Sequence, residues 1–340
     1  MLKVAILGFG FMGKTHADAY LSLPNVCLVG VGDVRTELFT NWNGPSSVKF
    51  FNNLDSLLAK VDADILDVCL PTFLHEEFVI KAAKRGMHIL CEKPLALDVA
   101  SADRILAAVR ETGGIFMVGQ VVRFSAHYVK ARELVQSGTC GNVIFTSAFR
   151  LSEPPQWARW FSDPQKSGGA LYDLHIHDLD YIVDLFGNPE ALLTTGVQSK
   201  GGCWDQVVDI LLYPDKKVVI EASYRMPVGW PFATYLRIVG TSGCVEYGFR
   251  VQGNMGTVNQ ATHSFTLYRD GELPEDFEIH DPTPYLTEVK YFVDCVEHNQ
   301  QPTRVTPEQS RNVIAVLEAA KRSLETGAVV QLDELGAPVC

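Results

Sequence analysis

The chain has 340 residues, 47% of them hydrophobic and 20% charged, with a formal net charge of −11 and an isoelectric point near 5.3. That length is too great for one ordinary compact domain and predicts two. The acidic balance argues against nucleic acid or an anionic membrane as the main partner and favours a soluble protein.

The chain begins "MLKVAILGFG". This apolar run is too short and too interrupted by glycine for a signal peptide or a membrane span, so a cytoplasmic location is expected. Up to residue 120 short β-branched runs recur: "KVAILG", "VCLVGVGD", "ADILDVCLP", "MHILCE" and "IFMVGQ". Helix-length amphipathic segments separate them. That rhythm predicts βαβ units and a parallel sheet covered on both faces, since the strands read apolar throughout. Gly113 and Gly114 end a helix that begins near Asp98.

From Val121 the rhythm changes. A helical stretch, "SAHYVKARELVQSG", leads to a strand, "NVIFTSAFRL", and a Pro/Trp-rich loop, "SEPPQWARWFSDPQKSGGA". The helix "LYDLHIHDLDYIVDLFG" follows, then strands at "LLTTGVQS", "QVVDILLY", "KVVIEASYR", "TYLRIVGTSG" and "SFTLYRDG", with turns at "YPDKK" and "TSG". Helical patterns near 284–299 and 307–326 close the chain. The expected architecture is an α/β Rossmann domain over 1–120 and an α+β domain over 121–340, the latter on a largely antiparallel, open-faced sheet. Eight cysteines, at 27, 69, 91, 140, 203, 244, 295 and 340, form no CxxC pair and read as buried, reduced thiols.

"GFGFMG" places Gly8, Gly10 and Gly13 in G-x-G-x-x-G spacing, with Phe11 and Met12 between the last two. The first glycine allows a tight turn, the second lets backbone approach a pyrophosphate, and the third lets helix and strand pack closely. The motif follows the first predicted strand and opens a helix. Asp33 ends the second strand, 20 residues after Gly13, followed by Val34 and Arg35. A carboxylate there accepts ribose hydroxyls and repels a 2′-phosphate, which favours NAD. Arg35 is the counter-argument and keeps NADP open. The bland alternative is a tight turn with a surface aspartate.

The helix after residue 170 carries Asp173, His175, His177, Asp178 and Asp180. At 3.6 residues per turn Asp173, His177 and Asp180 share one face and His175 points away from it. Asp173 and His177 then form a carboxylate–imidazole pair at i, i+4, suited to general acid–base work. A metal on the H-x-H would need both rings on one side, which a helix forbids, so no metal is expected. The bland alternative is an ordinary helix with polar residues facing out. Its many apolar residues weigh against that.

The combination of the glycine loop, "ILCEKPLAL" and D-x-x-x-H, together with "LPTFLHEEFVIKAAKRG", "VGQVVRF" and "VGTSG", resembles the Gfo/Idh/MocA family of nicotinamide-dependent oxidoreductases over nearly the whole chain. The resemblance implies a dehydrogenase acting on a CH–OH group of a sugar, inositol or sugar derivative. It also implies a catalytic trio of Lys93, Asp173 and His177, with Lys93 projecting from a strand end into the cleft between the domains. Lys93 would donate to the substrate hydroxyl and touch the nicotinamide ribose. The Lys93–Pro94 bond would be cis, and Glu92 would hold the nicotinamide side. Pro71, Thr72 and His75 match the loop around the adenosine and pyrophosphate, although His75 also fits a packing role. Gln120 and Arg123 match positions lining the nicotinamide and the substrate. Trp157 and Trp160 either stack on a sugar or cover the core, with Trp160 assigned to ligand. Tyr285 resembles a substrate-contacting tyrosine. Two alternatives stay open: a glycosidase-type enzyme that uses bound NAD transiently, and a non-catalytic NAD-binding regulator. The family's open sheet face implies a homodimer or homotetramer.

Overall fold

Six parallel strands lie in the order β3-β2-β1-β4-β5-β6. They are β1 (Leu2–Leu7), β2 (Val26–Gly32), β3 (Lys49–Phe51), β4 (Ile65–Val68), β5 (His88–Glu92) and β6 (Phe116–Gly119). Between them run α1 (Phe11–Leu21), α2 (Glu37–Thr40), α3 (Leu54–Lys60), α4 (His75–Ala83) and α5 (Val99–Thr112). This is the dinucleotide-binding order, with its switch point between β1 and β4. Local chemistry sets the helix ends. Asp98 caps α5 by accepting the Ser101 N–H, and Gly113 stops it with φ of 68°, a left-handed conformation that glycine adopts without penalty. The structure, a computed structural model, describes residues 1–40, 42–155, 159–252, 260–280 and 283–332; Trp157 and Cys340 lie outside the described residues.

After α6 (Ala126–Gln136) the second sheet begins at β7 (Val143–Leu151). It continues through β8 (Ala191–Gln198), β9 (Trp204–Leu212), β10 (Lys217–Ser223), β11 (Phe232–Gly240), β12 (Gly243–Gln252), β13 (Gln260–Arg269) and β14 (Glu275–Asp276). With β15 (Val330–Gln331) it has nine strands, ordered β14-β13-β12-β11-β7-β10-β9-β8-β15. Every pair is antiparallel except β7–β10. The helices α7 (Ala170–Asp173) and α8 (His175–Phe186) pack on β7, β9 and β10. Burial alternates along these strands. Val207, Asp209 and Leu211 of β9 face inward, while Ile210 is exposed.

The chain divides into two compact units, and neither is continuous in sequence. Met1–Phe124 is joined by Pro282–Arg311, and Ser125–Asp281 by Asn312–Cys340. The reason is apolar. On α9 (Pro284–Glu297), Val289, Phe292, Val293 and Val296 enter the same core as Val4, Ile6, Phe9 and Tyr20. The last helix, α10 (Pro307–Thr326), begins in the first unit and ends in the second. Among the described residues no helix is long and apolar enough to cross a membrane. The seven described cysteines are all free, four buried and three half-buried.

Phe292 is fully buried. Phe292→Ala should cost about 3–5 kcal/mol of stability, read as a lower urea midpoint for loss of NADH binding. An unchanged midpoint would place α9 outside the first unit's core.

Candidate active site

The turn from β1 into α1 is built on close approach. A Cβ at Gly13 would lie 1.9 Å from the Gly8 carbonyl oxygen, and one at Gly8, where φ is +90°, would lie 2.3 Å from the Cys69 carbonyl oxygen. Only glycine fits at either position. No side chain caps α1, and its first turn carries no acid. Its leading N–H groups are therefore available to an anion. Phe11 is exposed and Met12 half-buried beside them. Asp33, one residue past β2, is buried. Its Oδ2 accepts the Phe9 N–H at 2.8 Å and an Arg35 guanidinium N–H at 2.9 Å. Its Oδ1 accepts the Arg35 backbone N–H at 2.9 Å and Arg35 Nε at 3.0 Å. Burial works against the Asp33 charge, but the Arg35 and backbone donors outweigh it and hold the carboxyl below its usual range. The Arg35 guanidinium lies over the loop, 3.3 Å from where a Gly10 Cβ would stand. Val34 is exposed. An uncapped helix, a cradle that any Cβ would fill and a carboxylate at the β2 end fit a dinucleotide.

Lys93 is half-buried, just past the C-terminal end of β5, where ligands of parallel sheets bind. The Lys93–Pro94 peptide is cis. Glu92 is buried, and its Oε2 accepts the Lys93 backbone N–H at 3.0 Å. On the neighbouring strand end Pro71 leads into a 3₁₀ turn, Thr72–Leu74, with Thr72 buried. His75 opens α4. Its ring is buried, with Nδ1 2.9 Å from the Pro94 carbonyl and Nε2 2.8 Å from the Leu70 carbonyl. Both nitrogens are engaged with backbone, so His75 ties the β4 turn to the lysine corner, the packing role.

In the second unit the expected helix is interrupted. Leu174 separates α7 from α8, and His177 N–H donates to the Leu174 carbonyl three residues back, a tightened turn. Asp173 and His177 stay half-buried, while Asp180, expected on their face, is buried. His175 points inward as expected, its Nε2 2.8 Å from Asp209 of β9. Asp178 is buried and takes Arg150 at 3.0 and 3.1 Å and the Tyr128 hydroxyl at 3.2 Å. The Tyr224 hydroxyl donates to Asp173 Oδ2. Burial and the Asp173 charge push the Tyr224 hydroxyl well up, so it stays a donor.

Gln120 is buried beyond β6. Arg123 is buried, and its NH1 donates to the Arg304 carbonyl at 3.1 Å and to Gln309 at 2.9 Å, holding the returning segment to the first unit. Trp160 stacks on Phe161 with centroids 4.0 Å apart. Tyr285, on α9, lies 6.3 Å ring to ring from His16 of α1.

Sequence reasoning missed Tyr224, which no local pattern marks. It also missed His16 and Asp67, although "GKTH" puts the histidine three residues past Gly13. His16, Asp67 and Cys69 bring metal-ligand types within 4.8 Å of one another. Direct hydrogen bonds account for that grouping: His16 Nδ1 is 2.8 Å from Asp67 Oδ2, and the Cys69 thiol donates to Asp67 Oδ1 at 3.2 Å.

Residues 2–120 match an oxidoreductase family with an NAD-binding Rossmann fold, and residues 128–246 match the GFO/IDH/MocA C-terminal domain. The chain is similar to a myo-inositol 2-dehydrogenase of Thermotoga maritima, 27% identical over 98% of this chain and 99% of that one. It is 31% identical to a 2,7-anhydro-N-acetylneuraminate hydratase of Mediterraneibacter gnavus, over 80% of this chain and 74% of that one. The crystal structure of an aldose-aldose oxidoreductase from Caulobacter crescentus, complexed with glycerol, shares the fold at a TM-score of 0.83 and 23% identity, covering 97% of this chain and 99% of that one.

The Asp33 pairing carries a pH dependence. A carboxyl held below its unfolded value of 3.8 adds stability that is complete above that value and lost as pH falls through the lower, folded one. Asp33→Asn should therefore lower stability at neutral pH and flatten the acid limb of the unfolding curve. Parallel curves for the two proteins from pH 6 to pH 2.5 would refute the pairing.

Proposed function

The chain belongs to the Gfo/Idh/MocA family of NAD-binding Rossmann oxidoreductases, and on that premise we propose that it oxidises a secondary alcohol of an inositol, sugar or sugar derivative. One observation carries the reading. Of the six Asp and His residues on α7 and α8, His175, Asp178 and Asp180 are buried and Asp184 is paired with Arg132, so the two others left partly open are Asp173 and His177. A carboxylate and an imidazole kept open together suit proton transfer from a hydroxyl. The names of the inositol dehydrogenase relatives support the substrate class.

In this reading NAD, when bound, accepts the hydride from the carbinol carbon. Lys93 donates to the substrate oxygen and lowers the hydroxyl's pKa. His177 takes the hydroxyl proton as the carbonyl forms, and Asp173 supports the resulting imidazolium. Tyr224 holds Asp173 in place. Glu92 holds the nicotinamide side, and the Asp33 carboxylate favours NAD over NADP. Arg35, paired with Asp33, offsets part of that preference.

A second reading rests on the relative named a hydratase at 31% identity. In it the same residues would serve a reaction with no net release of NADH.

The open face of the second sheet carries the stacked pair Phe149–Tyr235 and the exposed Ile210 and Val197. A second copy covers this face in the reading proposed here, giving a homodimer or homotetramer. Light scattering should return at least twice the chain mass, and a monomer would end the idea.

The main test is a panel of polyols and sugars with NAD or NADP, followed by reduced-nicotinamide absorbance. Turnover is expected with an inositol or sugar and should favour NAD. His177→Ala should lower kcat by about 10²–10⁴-fold while leaving NADH affinity nearly intact. Near-normal turnover in that variant would sink the role given to His177. Tightly retained NAD with no NADH release across the panel would favour the second reading.

A further inference from the structure

One buried cluster in the first unit takes no part in the chemistry above. His16 lies on α1 with no exposed surface. Its Nδ1 is 2.8 Å from Asp67 Oδ2 on β4. Its Nε2 is 3.2 Å from Glu92 Oε1 at the end of β5, an ion-pair distance without hydrogen-bond alignment. The other Glu92 oxygen accepts the Lys93 backbone N–H at 3.0 Å. The links run in series, from Asp67 to His16, to Glu92, to the amide of Lys93.

The chemistry selects a cation for the second place. An imidazole that faces a carboxylate with each nitrogen carries a proton on both only as imidazolium. Burial opposes that charge, but Asp67 outweighs it, and the ring's pKa lies well above the ordinary histidine value. Burial pushes up the pKa of the other titratable groups around it, which opposes a negative charge on them: Tyr20 from α1, Cys69 beyond β4, Cys91 on β5 and Glu288 on α9. Glu288 is pushed up by burial first and the Glu92 charge second, with Arg304 opposing through space. Tyr285 of α9 faces the imidazole across 6.3 Å.

We infer that His16 is a positioning residue for the proposed reaction: anchored by Asp67, it fixes the Glu92 carboxylate and through it the Lys93–Pro94 corner. The inference rests on the roles given above to Lys93 and Glu92. A histidine serving only to join α1 to the sheet would need the Asp67 bond alone. The second carboxylate at Nε2, shared with the Lys93 amide, is what that simpler role leaves unexplained.

The experiment is a double-mutant cycle on the full chain with His16→Gln, Glu92→Gln and the pair. The primary readout is the affinity and emission of bound NADH, which needs no turnover; kcat and KM for the alcohol are added. Each single variant should weaken NADH roughly tenfold, the low end of the coupling between close charge pairs, and shift its emission alike. The double variant should do no worse than Glu92→Gln, and the loss in turnover should fall on kcat rather than on KM for the alcohol. Effects that multiply in the double variant, or His16→Gln with wild-type NADH emission and affinity, would overturn the inference. If His16→Gln does not fold, Asp67→Asn replaces it with the same expected direction, and wild-type NADH binding in folded Asp67→Asn overturns the inference equally. A wild-type protein that binds NADH but turns over nothing in the panel would remove the proposed reaction and still leave the cycle readable.

Discussion

The first unit depends on how closely α1 sits on the turn that precedes it. With 1.9 Å between an imagined Gly13 Cβ and the Gly8 oxygen, helix and turn touch through backbone alone. That seat aims the uncapped end of α1 outward, where an anion meets its N–H groups. It also delivers His16, one turn further along, to the ends of β4 and β5. The rest of the helix receives α9, which explains why a segment near the C-terminus belongs to the first unit's core. A single added methyl group would disturb all three.

The second unit handles polarity by pairing. His175 with Asp209, and Arg150 with Asp178, place full or potential charges inside the layer between helix and sheet. Such pairs add little net stability over apolar residues of the same size, but losing one partner leaves an uncompensated charge. Their consequence for the site is selective. They draw His175 and Asp178 inward, so that Asp173 and His177 are the pair left at the margin. The hydroxyl of Tyr224 reaches Asp173 from the far end of β10, so the sheet also sets the position of that carboxylate.

Much of this was legible in the chain. The βαβ rhythm, the glycine spacing and Asp33 are local patterns, and local patterns survive folding because each reports its own backbone geometry. Asp98 and Gly113 mark the two ends of α5 for the same reason. What local pattern does not carry is non-local. Two acceptors of Arg123, the Arg304 carbonyl and Gln309, lie some 180 residues on. His75 fits both a loop and a packing role in sequence, and the carbonyls it meets belong to Leu70 at one strand end and Pro94 at another. The interruption at Leu174 involves no proline or glycine, so 3.6-residue periodicity gives no sign of it. The return of α9 is a packing choice that an amphipathic pattern announces without naming its partner.

The two units also differ in how they balance buried charge. In the second, each acid of the two pairs has a basic partner at hydrogen-bonding distance. In the first, Asp67, Glu92 and Glu288 gather around one imidazole. Three carboxylates and one cation cannot all be ionised in a dry interior without a large penalty. Burial and the Glu92 charge push the Glu288 carboxyl on α9 well above its usual range, which favours the protonated form there. The field beside Lys93 is therefore set by which of these groups hold protons as much as by where their atoms lie.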